Sequence, residues 1–272
     1  MFAKSVDTLA DLAAARAYVA KNHPAPFLVS SMMAGAYIGL GIILIFGLGQ
    51  TVDPNYRPLV MGGCFGIALT LVVLAGCDLF TGLNMFGTMG LLKQKIGGAD
   101  VARLWIYSWI GNLLGAALLA VIFKLGGGGI ILKDGSDLIF KVAAAKMSAS
   151  PVELVARAML CNWLVCLALW CASRTTSDAA KCIVIFWCLF AFIASGFEHS
   201  VANMTVFTIA LLGNHPPTVT LHGMLYNLVW VSLGNILSGS LFMGVGYWFA
   251  DTEGRARAGS SRIGSPSPAP AE

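Results

Sequence analysis

Charge is what this sequence lacks most. Only 11% of its 272 residues are Asp, Glu, Lys or Arg, against about 25% in a soluble domain. That shortage excludes an ordinary water-soluble globule, whose surface needs more ionised side chains. Paired cysteines are missing too. The seven, Cys64, Cys77, Cys161, Cys166, Cys171, Cys182 and Cys188, fall almost entirely in apolar stretches, and none forms a C-x-x-C pair. They read as small buried hydrophobes, so neither a metal site nor a disulfide framework is expected. There is no dense basic block. The net charge of +4 is spread over loops and ends, which suits membrane orientation and not nucleic-acid binding. No G-x-S-G is present, and His222 falls in a loop, so Ser238 has no positioned base and an intramembrane hydrolase has no catalytic case. No cleavable leader is expected, because the residues before Phe27 are polar and amphipathic.

What is present is apolar length. Hydrophobic residues make up 57% of the chain and the mean hydropathy is +0.79. Six apolar spans follow one another: Phe27 to Gly49, Leu59 to Leu92, Leu104 to Phe123, Leu154 to Ala172, Ile183 to Gly213 and Met224 to Ala250. Before them, residues 4–21 read as an amphipathic helix at the membrane surface, with Val6, Leu9, Leu12, Ala13 and Ala17 on its apolar side. After them, residues 251–272 read as a disordered tail. Residues 1–250 are expected to form one transmembrane domain.

Two spans are too long. A membrane helix needs about 20 residues, yet span two has 34 (59 to 92) and span five has 31 (183 to 213). Each carries polar punctuation at its middle: Asp78 through Asn84, and Glu198 through Asn203. A charge at the bilayer centre costs about 2.5–3.5 kcal/mol even on the lenient scale, so such residues face a cavity or pathway. Two broken helices are expected, lining a cavity, because irregular backbone survives at that depth only there or inside protein.

The halves also match. Ala75 to Met85 (AGCDLFTGLNM) aligns with Ala194 to Met204 (ASGFEHSVANM) at a shift of 119 residues, and Gly111 to Gly115 with Gly234 to Ser238 at a shift of 123. Three spans per repeat is an odd number, so the second half must enter from the opposite side. The expected fold is therefore all-α, with six transmembrane spans as a 3+3 inverted repeat and a site near the midplane. With the N-terminus inside, 11 Lys and Arg lie in inner segments and six in outer ones, which favours cytoplasmic termini. Asp78 is a candidate cap for the half-helix that follows it. Gly111, Asn112, Gly234 and Asn235 read as helix-packing residues.

The second break holds His199, between Glu198 and Asn203. If the breaks meet, Thr81 of the first can hydrogen-bond His199. A neutral-solute pore of the aquaporin type would want paired Asn-Pro-Ala breaks, whereas these read Leu79-Phe80-Thr81 and His199-Ser200-Val201.

Four segments together resemble the formate/nitrite transporter family, in particular its nitrite channel branch. They are Met33 to Gly41 (MAGAYIGLG), Leu79 to Gly82 (LFTG), Leu160 to Ala168 (LCNWLVCLA) and Gly196 to Met204 (GFEHSVANM). The resemblance covers about residues 5 to 250. Wider similarity at Trp187 to Gly196 and Arg57 to Gly62 favours nitrite over formate; a formate or hydrosulfide channel of the same family is the alternative. The resemblance implies an aquaporin-like protomer, one pore per protomer in a homopentamer, and a small monovalent anion such as nitrite as substrate. It implies that His199 is the central pore residue, paired with Thr81. Narrow slits then map onto Phe65, Leu69 and Phe192 on the outer side, and onto Leu79, Phe80 and Val165 on the inner side. Accessory polar positions map onto Lys146, Asn162, Glu198 and Asn203. The implied setting is the bacterial inner membrane, with the lipid bilayer as a further partner and no cofactor.

Overall fold

A computed structural model describes residues 2–252. Among them there is no strand; the chain is helical almost throughout. The helices are α1 Ala3–Asn22, α2 Pro24–Thr51, α3 Arg57–Cys64, α4 Gly66–Ala75, α5 Phe80–Leu92, α6 Gly98–Leu125 and α7 Leu138–Ser148. They continue with α8 Pro151–Ala172, α9 Asp178–Ala194, α10 Ser200–Leu212, α11 Leu221–Leu237 and α12 Gly246–Ala250. A π-helical stretch, Ser238–Val245, joins the last two. The tail expected beyond residue 250 lies, from residue 253 on, outside the described residues.

Local chemistry sets the boundaries. Pro24 opens α2, where its missing N–H costs nothing. Ser150 and Glu153 form a capping box at the start of α8. Thr220 Oγ1 accepts from Gly223 N at 3.0 Å to start α11. Five of the helical stretches are long and apolar enough to cross a membrane. The outward face of α6 shows why water is not their solvent. Ile106, Ile110, Leu114, Leu118 and Ile122 form an exposed stripe at every fourth residue. The protein is a multi-pass membrane protein.

Two helix pairs dominate the packing, α2 with α6 and α8 with α11. Close backbone approach is what allows the first. A Cβ placed on Gly35 would overlap the Asn112 carbonyl oxygen, and one on Gly115 the Met32 carbonyl oxygen. Small residues bring membrane helices together because dispersion and polar contacts, and not water release, hold them. Helix α1 buries Val6, Leu9, Ala13 and Ala17 against the protein itself, while Leu12 is partly exposed.

The chain is interrupted between α4 and α5, and between α9 and α10. Both junctions share one backbone plan. Gly76 (φ 74°) and Gly196 (φ 69°) take the left-handed conformation that a side chain resists. Three residues later, extended Leu79 and His199 precede α5 and α10. This fixes the register at 120 residues (76 and 196), one more than the sequence alignment suggests. The extra residue is Ser195, which adds a position to the end of α9 before the glycine turn. His199 is thus the counterpart of Leu79, not of Phe80. Two further differences from the sequence reading concern single elements. The connection 124–153 contains a helix, α7, and the last span is not uniformly α-helical.

Candidate functional site

An asparagine holds each junction. Asn112 Oδ1 accepts from Phe80 N at 2.9 Å, while its Nδ2 donates to Ser31 O (2.7 Å) and Asp78 O (3.0 Å). Asn235 does the same in the other half. Its Oδ1 accepts from Ser200 N at 3.0 Å, and its Nδ2 donates to Ala158 O (2.8 Å) and Glu198 O (3.1 Å). Chain that leaves a helix exposes unpaired donors and acceptors, and each amide here satisfies one N–H and two carbonyls. Read from sequence as helix-packing residues, Asn112 and Asn235 are instead the clamps of the two breaks.

Each junction also buries a carboxylate against a cation from outside it. Asp78 Oδ1 lies 3.1 Å from Arg16 Nε, and Ser30 Oγ donates to its Oδ2 at 2.7 Å. Arg16 Nη2 also donates to Gly76 O at 2.9 Å. Asp78 therefore does not cap α5, whose preceding residue, Leu79, has no capping side-chain bond. Glu198, 2% exposed, lies with Oε1 2.9 Å from Lys146 Nζ. Its Oε2 accepts from Asn203 Nδ2 at 2.6 Å. Asn203 Nδ2 also donates to Asn227 Oδ1 (2.9 Å), and Asn227 Nδ2 to Lys146 O (2.8 Å). The result is a closed ring through α7, the second junction, α10 and α11. Asn227 was not singled out in the sequence, where an asparagine in an apolar helix reads as a packing residue.

Thr81 and His199 do meet, at 3.2 Å between Oγ1 and Nε2. The imidazole is fixed from its other side. Ala202 N donates to Nδ1 at 3.1 Å, so His199 is the N-cap of α10. Since Nδ1 accepts, the hydrogen-bond network assigns the proton of the neutral ring to Nε2, which donates to the Thr81 hydroxyl. The ring stacks on Phe192 (centroids 5.9 Å, 15° between planes), and Phe65 meets Phe192 edge-on at 5.5 Å.

Two cavities border this ring, and a third adjoins one of them through Leu79. The first, of about 310 Å³, is lined by Lys146, Arg57, Phe192, Asn203 and His199, among others; it is termed the α7 cavity. The second is a chamber of about 10 Å³ bounded by Ile38, Phe65, Leu69, Leu79, Val165, Leu189, Phe192 and His199. That is the space of about one water. The third, of about 250 Å³, is bounded by Leu79, Leu83, Phe86, Leu12 and Arg16, among others; it is termed the α1 cavity. His199 and Phe192 are shared by the first two cavities, and Leu79 by the last two.

Of the residues expected from sequence, His199, Lys146, Asn203, Phe65, Leu69, Phe192, Leu79 and Val165 face one or more of these spaces. Thr81, Asn162, Glu198 and Phe80 line none of the three. Asn162 is buried as a tie between halves: its Nδ2 lies within hydrogen-bond distance of Thr81 O (3.2 Å), Asn84 Oδ1 (3.3 Å) and Asn235 O (2.7 Å). No group of three or more His, Cys, Asp or Glu placed to hold a metal occurs among the described residues.

Residues 6–249 match the family described as formate/nitrite transporter. The nitrite transporter NirC of Escherichia coli (strain K12) is 52% identical over 250 residues, covering 92% of each chain. Among solved structures, one described as an FNT family ion channel superposes with a TM-score of 0.88 at 51% identity, covering 91% of this chain and 98% of its own. A pentameric formate channel with formate bound superposes with a TM-score of 0.69 at 25% identity, covering 83% and 96%.

Proposed function

The chain belongs to the formate/nitrite transporter family, and we propose that it conducts small monovalent weak-acid anions, nitrite foremost, past His199. One observation carries this reading. A single buried imidazole borders both the α7 cavity and the central chamber, and Leu79 on the chamber's far wall borders the α1 cavity. Nitrite is preferred to formate because the nitrite transporter relative is 52% identical and the formate-bound channel 25%.

In this reading the six spans form a 3+3 inverted repeat, aquaporin-like in plan, broken at mid-membrane by the two junctions. The matched glycine turns and asparagine clamps support it, because an inverted repeat brings equivalent backbone to one site. Span five is then α9 and α10 together, and span two is α3 to α5. The assembly is a homopentamer in a bacterial inner membrane with both termini cytoplasmic. The pentamer rests on the pentameric formate channel, the orientation on the lysine and arginine bias of the sequence.

The chemistry follows from solvent loss. A bare anion in a dry apolar passage faces a cost of tens of kcal/mol in principle. Protonating a weak acid costs about 1.4 kcal/mol per unit by which pH exceeds its pKa. The passage beside Phe65, Phe192 and Leu79 therefore favours an anion that gains a proton or a strong donor there. The Nε2–H of His199 is that donor: the Nδ1 cap holds the ring, and the N–H turns from Thr81 Oγ1 to the passing anion. Transferring its proton outright requires Nδ1 to take one up, which releases the cap at about 1 kcal/mol and also charges a buried imidazole. Hydrogen-bond donation is therefore the role that the resting geometry supports. Thr81 steadies the ring, and Asn162 holds the Thr81 backbone.

His199→Asn tests this, because asparagine keeps an N-cap side chain but has no imidazole. Flux of nitrite into proteoliposomes, with internal pH recorded, should fall about a hundredfold. Unchanged flux and selectivity at several pH values would remove His199 from the mechanism.

A further inference from the structure

The two large cavities differ in how their cations are compensated. Both cations lining the α1 cavity face carboxylates: Arg16 Nε lies 3.1 Å from Asp78 Oδ1, and Lys181 Nζ 2.8 Å from Asp178 Oδ1. In the α7 cavity Lys146 is likewise paired, with Glu198 at 2.9 Å. Arg57 lines the same cavity, and no carboxylate among the described residues reaches ion-pair distance of it. Its Nε donates instead to Gly49 O at 2.8 Å and Val52 O at 3.3 Å. Gly49 is in the last turn of α2. Carbonyls at a helix C-terminus attract a cation and orient it without cancelling its unit charge.

A closely paired Lys146 and Glu198 act on a distant ion as a dipole, whose field falls off faster than that of a single charge. Arg57 acts as a single charge. The acidic groups near it are otherwise engaged. Asp137 is bound by Lys141, whose hydrogen bond is the main reason its carboxyl sits below the usual carboxylate range, with the Arg57 charge adding to that effect. Asp53, whose Oδ1 accepts from Asn55 N at 2.9 Å, keeps its charge but lies outside ion-pair distance of Arg57.

We infer that Arg57 is the anion-collecting residue of this protein: it holds a small monovalent oxyanion in the α7 cavity, ahead of the Phe192 and His199 ring pair. The inference deepens the anion-channel reading and rests on it. Capture at Arg57 raises the local anion concentration where the passage narrows, a charge effect that added salt weakens. Passage itself remains the work of the ring pair, so Arg57 governs half-saturation and not the maximal rate.

Initial nitrite uptake into right-side-out and inverted membrane vesicles containing the full-length protein tests this, since the two preparations present the two cavities separately. Arg57→Gln should lower uptake about three- to tenfold at sub-saturating nitrite and low ionic strength, in one vesicle orientation only. Maximal uptake should be unchanged. The deficit should vanish at about 1 M of an impermeant salt, where the Debye length is about 3 Å. Arg57→Lys, which keeps the charge and loses the carbonyl fork, should retain most of the low-salt uptake. The inference is overturned if Arg57→Gln matches the unaltered protein at low salt, if its deficit survives high salt or appears equally in both orientations, or if Arg57→Lys is as impaired. Failure of the anion-channel reading itself would look different: the unaltered protein would then take up neither nitrite nor formate faster than protein-free vesicles.

Discussion

The junction between α4 and α5 and the junction between α9 and α10 are built on the same backbone and carry opposite chemistry. Each has a left-handed glycine, an extended residue three positions on, an asparagine clamp and a buried carboxylate with a borrowed cation. At the position before the new helix, one junction places Leu79 and the other His199. The frame solves a problem both halves share, namely how to stop a helix where water is scarce. The side chain set on that frame is where the halves diverge, and it is there that the proposed function resides. A second divergence supports this division. The Asn112 carbonyl is approached by Gly35, which leaves no room for a side chain. The Asn235 carbonyl is instead hydrogen-bonded by Asn162, which also reaches Thr81 in the opposite half.

If the frames are equivalent, removing either clamp should cost the same. Asn112→Leu and Asn235→Leu each strand two carbonyls and one N–H. At about 1–3 kcal/mol per orphaned group, each variant should lose about 3 kcal/mol or more. Thermal unfolding of the purified protein in detergent reads this directly. Matching losses sustain the comparison; a large loss at one junction alone breaks it.

The borrowed cations should behave less evenly. Glu198→Gln and Asp78→Asn each leave a cation without its carboxylate. The Lys146 side chain is 19% exposed and that of Arg16 30% exposed. Water screens the more exposed group better, so the expected losses are about 2 kcal/mol for Glu198→Gln and about 1 kcal/mol for Asp78→Asn. The same unfolding measurement ranks them. A reversed order would mean that Asp78, through Arg16, anchors α1 more firmly than the second junction anchors α7.

Much of this plan was legible in the chain, for identifiable reasons. Overlong spans with polar centres located both breaks, because bilayer thickness bounds a helix. His199 stood out because an ionisable group in apolar sequence needs a cause. What escaped notice were pairings between distant residues. Asn112 and Asn235 looked like any polar side chain between packed helices, since the carbonyls they satisfy are invisible until the breaks are placed beside them. Arg16 and Asp78 come from different elements, and nothing local predicts their meeting. The register slipped by one because Asn84 and Asn203 share a sequence context but not a position. Asn84 turns to Asn162, whereas Asn203 turns to Glu198. Helix α7 was missed because charge and glycine around it hide a short apolar face in what reads as a loop.

The smallest expected difference is the sharpest test of how His199 is held. Leu79 precedes α5 without a capping bond, while His199 Nδ1 accepts from Ala202 N at 3.1 Å. His199→Leu gives the second junction the residue of the first and strips that cap, so it should lose about 1 kcal/mol. His199→Asn restores an acceptor in the preferred capping class and should come within about 0.5 kcal/mol of the unaltered protein. Both lack the Nε2–H. Unfolding midpoints of the two variants, compared in one detergent, separate cap from ring. If the leucine variant is no less stable than the asparagine one, Nδ1 is not serving as the cap. The assignment of the ring proton to Nε2, and with it the donor facing Thr81 and the passage, would then have to be reversed.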